Sequence, residues 1–305
     1  MTDSEPPRPT TTDENTPDRP RVSVLLVTYN HAAYIRQAVE SVLAQQLDGG
    51  WELIVGEDCS TDGTRAILDE YAAREPHRIR LFAREQNLGL SENLRRAWRE
   101  CRGDYVAMLE GDDYWTDAQK LSRQVAALDA HPDWSMCFHR IEVTSEQGRP
   151  PFLEPHEDDF PAESGLNDLL RRNFVGNVST MYRRGIVAEI PESLQRVVHQ
   201  DWPLHLLHAR QGPIGYLPDV MGVWRHHGGS MWSSKPEALR WQWIFEFYDL
   251  AEDLLGSDKL DAVRAARLDA VRQLCQDRER ALQSREYRYG AALLRPMRAV
   301  RGWLK

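Results

Sequence analysis

From residue 22 the chain alternates short apolar runs with one-sided helical segments. Val22-Ser23-Val24-Leu25-Leu26-Val27 is a near-continuous apolar run, the pattern of a strand buried on both faces of a parallel sheet. Ile35, Val39, Val42 and Leu43 then fall on one face of a helix. Asp48-Gly49-Gly50 marks a turn, and Glu52-Leu53-Ile54-Val55 a second strand. The same reading gives a helix over Thr64–Tyr71, a short strand at Arg80-Leu81-Phe82, a helix over Ser91–Cys101 and a buried strand at Tyr105-Val106-Ala107-Met108-Leu109. Strands and helices alternating at this spacing predict βαβ units in a parallel, Rossmann-like α/β sheet. Such sheets bind ligands beyond the carboxyl ends of their strands. Polar residues crowd there: Thr28-Tyr29-Asn30, Glu57-Asp58 and Glu110-Gly111-Asp112-Asp113.

After His131 the rhythm is irregular. Trp134–Val143 reads as a strand pair or one long strand, Pro150–Ser164 as a Pro- and acid-rich loop, and Leu166–Arg172 as a short helix. From Pro236 the pattern is helical to the end, with Trp241, Trp243, Ile244, Phe247 and Leu250 at helical spacing. The expected division is a Pro-, Thr- and Asp-rich disordered tail over 1–20, one domain over 21–235 and a helical region over 236–305. There is no internal repeat.

Composition narrows the function. At 305 residues with 41% hydrophobic content the chain can bury a core, and its net charge of -9 disfavours nonspecific nucleic-acid binding. An acidic protein that binds a nucleotide phosphate must neutralise it locally, with metal ions, helix N-termini or placed Arg and His. The four cysteines, Cys59, Cys101, Cys137 and Cys275, are widely spaced and suggest reduced thiols rather than a zinc ribbon or disulfide framework. No signal peptide or membrane-spanning run is read, so the expected location is cytoplasmic.

The segment richest in chemistry is Leu109-Glu110-Gly111-Asp112-Asp113. Three carboxylates within four residues repel one another, and Mg²⁺ or Mn²⁺ with diphosphate oxygens would relieve them. Taken alone the triplet is equally an acidic turn before a helix near Lys120.

Together with Thr28-Tyr29-Asn30 and Glu57-Asp58-Cys59-Ser60-Thr61-Asp62, in this order, the triplet resembles family 2 glycosyltransferases of the bacterial surface-polysaccharide and O-antigen type. The resemblance covers roughly residues 22–230 and implies the nucleotide-diphospho-sugar transferase (GT-A) fold. It implies that Thr28 and Tyr29, with Asn30, Glu57 and Asp58, hold the base and ribose of a UDP- or dTDP-sugar, and that Asn87 of Asn87-Leu88-Gly89 lies beside the donor sugar. Asp58 and Asp62 are also candidate helix caps.

Glu110, Asp112 and Asp113 match the family's D-x-D region, with Glu where Asp is usual; Glu110 and Asp112 would contact the donor, Asp112 and Asp113 the metal. His199-Gln200-Asp201-Trp202 is similar to the E-D motif, with Gln200 in place of Glu and Asp201 kept as general base. Asp201 could instead cap the helix over Trp202–Ala209, which has Pro203 in its first turn. Trp224-Arg225-His226-His227-Gly228-Gly229-Ser230 resembles the loop that closes over the diphosphate, Arg225 offering a phosphate fork and His227 a metal ligand or phosphate donor. Asn173-Phe174-Val175-Gly176-Asn177-Val178-Ser179-Thr180 resembles the acceptor-side segment. His205 and His208, one turn apart with no third ligand, read as helix packing rather than zinc.

The implied activity is inverting transfer of a sugar to a hydroxyl of a saccharide or lipid-linked acceptor. Arg285, Arg288, Arg295, Arg298, Arg301 and Lys305, interleaved with Tyr289, Leu293, Leu294, Met297, Val300, Trp303 and Leu304, form a basic amphipathic stretch. It suits either peripheral contact with the inner face of a membrane or packing on the catalytic domain. Two other functions use similar parts. A sugar nucleotidyltransferase would need a Gly-rich basic loop after the first strand, which Thr28-Tyr29-Asn30-His31 lacks. A non-catalytic sugar-nucleotide binder would have no need of Asp112, Asp113 and Asp201 together.

Overall fold

A computed structural model describes residues 19–156, 158–232 and 234–283; the tail expected over 1–20 falls almost wholly outside them, as does the basic stretch over 285–305. The first half follows the predicted rhythm. Strands β1 (Val22–Thr28), β2 (Trp51–Glu57), β3 (Ile79–Ala83) and β4 (Tyr105–Glu110) alternate with helices α1 (Ile35–Leu43), α2 (Thr64–Arg74) and α3 (Leu90–Glu100). The four strands run parallel in the order β3-β2-β1-β4. Every residue of β1 is buried. Val24 and Leu26 enter a core beneath α1 and α2, while Leu25 and Val27 enter the opposite one with α3. Alternate residues thus feed two cores, so a strand between two helical layers reads as unbroken hydrophobicity.

The second half makes the sheet mixed. The chain continues through β5 (Tyr114–Trp115), α4 (Lys120–Ala130), β6 (Met136–Ser145), β7 (Phe152–Glu154), β8 (Glu163–Ser164), α5 (Leu166–Arg171) and β9 (Met181–Arg183). It ends in α6 (Asp201–Ala209), β10 (Ile214–His226), α7 (Glu237–Leu255) and α8 (Leu260–Gln283). β9 lies antiparallel between β4 and β6, and β10 pairs parallel with β6 and antiparallel with β5, giving the order β3-β2-β1-β4-β9-β6-β10-β5. Trp134–Val143 therefore resolves as one long strand, β6. The helical region packs on the sheet: Phe247, Tyr248, Leu250 and Ala251 of α7, with Val263 and Ala266 of α8, are buried in the same core as Leu25 and Met108. Among the described residues no helix is long and apolar enough to cross a membrane.

Register levels the strand ends. Thr28 lies opposite Glu57, and Val27 opposite Glu110, so three chain reversals open onto one edge. The β5–β10 pairing, Tyr114 against Val223, carries the residues after Val223 back over the turn that follows β4.

Candidate active site

The turn after β4 is packed against the end of β1. A Cβ on Gly111 would stand 2.3 Å from Thr28 Oγ1 and 2.8 Å from His31 Nδ1, so no side chain fits there. Thr28 Oγ1 and His31 Nδ1 are themselves 3.2 Å apart. Tyr29 is 44% exposed at the cleft edge. Asn30 sits in the left-handed region at φ 57°, its Oδ1 accepting from Thr61 N at 2.8 Å and its N donating to Ser60 Oγ at 2.9 Å. Asn30 thereby fastens the loop after β1 to the loop after β2.

Glu57 and Asp58 are both buried. Glu57 Oε1 accepts from Ser60 N at 2.6 Å, while its Oε2 has no hydrogen-bond partner and lies 3.9 Å from Arg65 Nη1. Asp58 caps no helix: its two oxygens accept from Leu88 N and Gly89 N, each at 2.8 Å. Asn87 Nδ2 donates back to Asp58 O at 3.0 Å. Asp58 and Asn87 are thus two halves of one clamp that fixes the turn leading into α3. Asp62 is not the cap of α2 either: the cap position is Gly63, and Asp62 stands one residue earlier, its Oδ1 accepting from Thr64 N at 3.0 Å.

The acidic triplet divides by environment. Asp112 Oδ2 is 3.0 Å from His227 Nε2 and 3.7 Å from His31 Nε2. Burial alone would raise the Asp112 carboxyl, but the His227 hydrogen bond and the nearby His31 outweigh it and hold the group below its usual range. Gly229 N donates to His227 Nδ1 at 3.2 Å, so the neutral ring carries its proton on Nε2 and donates it to Asp112. The Asp112 bond raises His227, whereas burial lowers His31.

Asp113 is 1% exposed and accepts from Arg225 N at 2.9 Å. Burial, then the charges of Asp112 and Glu110, hold it well above the carboxylate range. Glu110 is pushed up to about 8 by burial and by the charges of Asp112 and Asp201, with a hydrogen bond from the Asn177 side chain pulling the other way.

Arg225 closes one side. Its Nη1 donates to Asp112 O at 2.5 Å, its Nη2 to Gln37 Oε1, and the guanidinium lies over Tyr114 at 4.4 Å. On the other side stands Asp201, the first residue of α6. The cap position is Gln200, which makes no side-chain cap; Asp201 Oδ2 accepts instead from Asn173 Nδ2 at 3.0 Å. The Gln200 amide is buried and ties down Leu194 O and Val197 O, a task for a donor that Glu could not perform. His205 and His208 are fully buried packing groups, His205 Nδ1 lying 2.7 Å from Tyr182 OH and His208 Nδ1 3.0 Å from Leu204 O.

Glu110, Asp112, Asp113, Asp201, Arg225 and His227 thus converge, although they come from chain segments up to 117 positions apart. Sequence reasoning did not single out His31, Gln37 or Gly111. His31 adjoins Thr28-Tyr29-Asn30, but nothing local marks it as a neighbour of Asp112. Among the described residues no group of three or more His, Cys, Asp or Glu is arranged as a ready-made metal cage. The donor set nevertheless fits a divalent cation: a carboxylate and an imidazole within 3.0 Å, beside two carboxyls raised by burial and then by neighbouring negative charge. Mg²⁺-type sites take one or two protein carboxylates and complete their shell with phosphate oxygens and water.

Known proteins resemble this chain in sequence and in fold. An uncharacterised protein of Mycobacterium tuberculosis, Rv1520, is 38% identical over 239 residues, 76% of this chain; the chain spans 66% of that relative's length. The putative teichuronic acid biosynthesis glycosyltransferase TuaG of Bacillus subtilis is 30% identical over 227 residues, covering 74% of this chain and 87% of its own. Among solved structures, S. aureus TarS 1-349 in complex with UDP-GlcNAc superposes with a TM-score of 0.61 at 21% identity, over 78% of this chain and 67% of that one. The fold is therefore GT-A. Residues 23–203 match Glycosyl transferase family 2, and the chain belongs to that family.

Proposed function

We propose that the protein transfers a sugar, with inversion, from a UDP- or dTDP-sugar to a hydroxyl of a saccharide or lipid-linked acceptor in the making of a cell-surface polysaccharide. The observation that carries this reading is the convergence of Asp112, His227 and Arg225 on one side of the cleft, with Asp201 in electrostatic reach of Glu110 on the other. The similarity to TuaG, named for teichuronic acid biosynthesis, supports the polymer, and the UDP-GlcNAc in the TarS complex supports the donor class.

Thr28, Tyr29 and Asn30, with Glu57 and Asp58, wall the nucleoside end, and the Asn87 turn borders the donor sugar. Asp112 would hold Mg²⁺ or Mn²⁺, with Asp113 beside it and His227 joining once its Nε2 gives up the proton it donates to Asp112. When bound, the cation offsets charge on the departing nucleotide diphosphate. Arg225 gives the diphosphate a forked donor. Glu110 accepts from, or when protonated donates to, a donor hydroxyl. Asp201 takes the proton of the acceptor hydroxyl as its oxygen attacks the anomeric carbon, and Asn173 orients the base through its hydrogen bond.

A thermal-shift panel of nucleotide diphospho-sugars with and without Mn²⁺ tests the reading. A cation-dependent rise with at least one UDP- or dTDP-sugar is expected; no response to any sugar nucleotide overturns it.

A further inference from the structure

Strand β10 has a second face. Arg225 and His227 turn toward Asp112 and Asp113, while Trp224, His226 and Gly228 line a cavity of about 720 Å³ outside that cleft. This is the two-residue alternation of a strand.

The cavity is cationic and aromatic. Arg149, Lys235 and Arg240 border it, and none of the three forms an ion pair among the described residues. Among the described residues Glu154 is the only acid in its lining, and burial pushes that carboxyl up, toward its neutral form. His226 lies within reach of the Arg149 and Arg240 charges. Two buried nitrogens have no partner, His226 Nε2 and the Arg240 Nε–H donor. A buried unpaired donor is costly, and gathered cations repel; an anion with several acceptor oxygens relieves both. Flat walls complete the site: Trp224 and Trp232 line it, and the Arg240 guanidinium lies 5.9 Å over Trp232.

Its position ties it to the reaction. The Trp232 ring also packs against His199 at 5.6 Å, and His199 stands two residues before Asp201, whose charge it feels. A ligand in the cavity is separated from the region of Asp201 by the Trp232 wall.

We propose that this cavity binds a phosphate or pyrophosphate group carried by the acceptor, with a neighbouring sugar on the tryptophan faces and the reacting hydroxyl directed past Trp232 toward Asp201. A single carboxylate is a poorer match, because three cations outside any ion pair and the free Arg240 Nε–H call for the charge and oxygens of a phosphate. The identity of the acceptor rests on the transferase reading above, but the anion site itself does not.

The test is calorimetric titration of inorganic pyrophosphate into the full chain, in EDTA and without nucleotide. The wild-type chain should bind. The Arg149→Ala/Arg240→Ala double variant should bind about tenfold more weakly, and Lys235→Glu, at an exposed position, about fivefold. Arg225→Ala should bind as wild type. No binding by the wild-type chain, an undiminished affinity in both cavity variants, or a loss confined to Arg225→Ala overturns the proposal. Glucuronate binding as tightly as pyrophosphate also overturns it.

Tighter binding of geranyl pyrophosphate than of glycerol phosphate identifies a lipid-linked pyrophosphate as the source. The reverse order identifies a phosphate-bearing polymer, and either order supports the site. Donor hydrolysis without acceptor should be unchanged in the double variant. A chain that binds pyrophosphate here yet binds no sugar nucleotide contradicts the transferase reading and leaves the anion site standing.

Discussion

Asp58→Ala should loosen the donor side of the cleft from a distance. The carboxylate is 3% exposed and accepts two backbone N–H groups, Leu88 N and Gly89 N, at 2.8 Å each. Hydrogen bonds to a charged group contribute about 1.5–3 kcal/mol apiece. Gly89 is exposed and Leu88 is not fully buried, so water recovers part of the loss, and a net cost of about 2–4 kcal/mol is expected. For a chain of this size that is a fall in Tm of about 3–6 °C. Asp58→Asn keeps one acceptor and turns an NH₂ toward the other N–H, so about half that fall is expected. Thermal melts read stability, and titration of the sugar nucleotide reads the secondary weakening as the Asn87 turn loses its clamp. If Asp58 acted only on the base, donor affinity would drop while Tm stayed within about 1 °C of wild type. That result refutes the clamp.

Other expectations concern the chemistry more directly. Asp201→Asn keeps an acceptor for Asn173 but cannot take a proton, so transfer should fall by about 10²–10⁴-fold with donor affinity unchanged; full turnover in that variant refutes the base assignment. Gly111→Ala forces Thr28 and His31 apart, since its Cβ would lie 2.3 Å from Thr28 Oγ1, and should weaken donor binding about tenfold or more in titration. EDTA should abolish transfer and Mn²⁺ or Mg²⁺ restore it; activity indifferent to chelation would leave Asp112 and His227 without their metal role. Lys120 is buried on the Trp115 ring with no hydrogen-bond partner, and burial lowers its pKa to about 7. The unfolded chain therefore binds more protons than the folded one between about pH 7 and 10.5. Stability should rise through that window, by up to about 1.4 kcal/mol per pH unit, and the penalty is full below it. Lys120→Met should raise urea resistance at pH 7 and flatten this group's slope.

The parallel half of the sheet was legible because each strand is sealed between two helical layers, so β1, β2 and β4 read as apolar runs. The mixed half was not. β5 and β8 are two residues long and β9 three, too short for any period to show. β10 is long, but Pro218 and Asp219 interrupt its alternation where the register with β6 shifts between Leu217 and Gly222. The acidic triplet and Asp201 were readable as candidates. Their partners were not: Asp112 meets His227 across 115 positions, and only the β5–β10 pairing brings them together. Asp58 shows the converse limit. Its place at a strand end was visible, but the two N–H groups it holds lie 30 and 31 residues away.

The central claim is that Asp112, with His227 and a divalent cation, grips the diphosphate of a sugar nucleotide. The most direct measurement is calorimetric titration of the sugar nucleotide that most stabilises the protein, with Mn²⁺ and with EDTA, into the wild-type chain and Asp112→Asn. Binding that requires Mn²⁺ and falls about tenfold or more in the variant is the expected result. Equal affinity with and without the cation, or in the presence and absence of the Asp112 carboxylate, would contradict it.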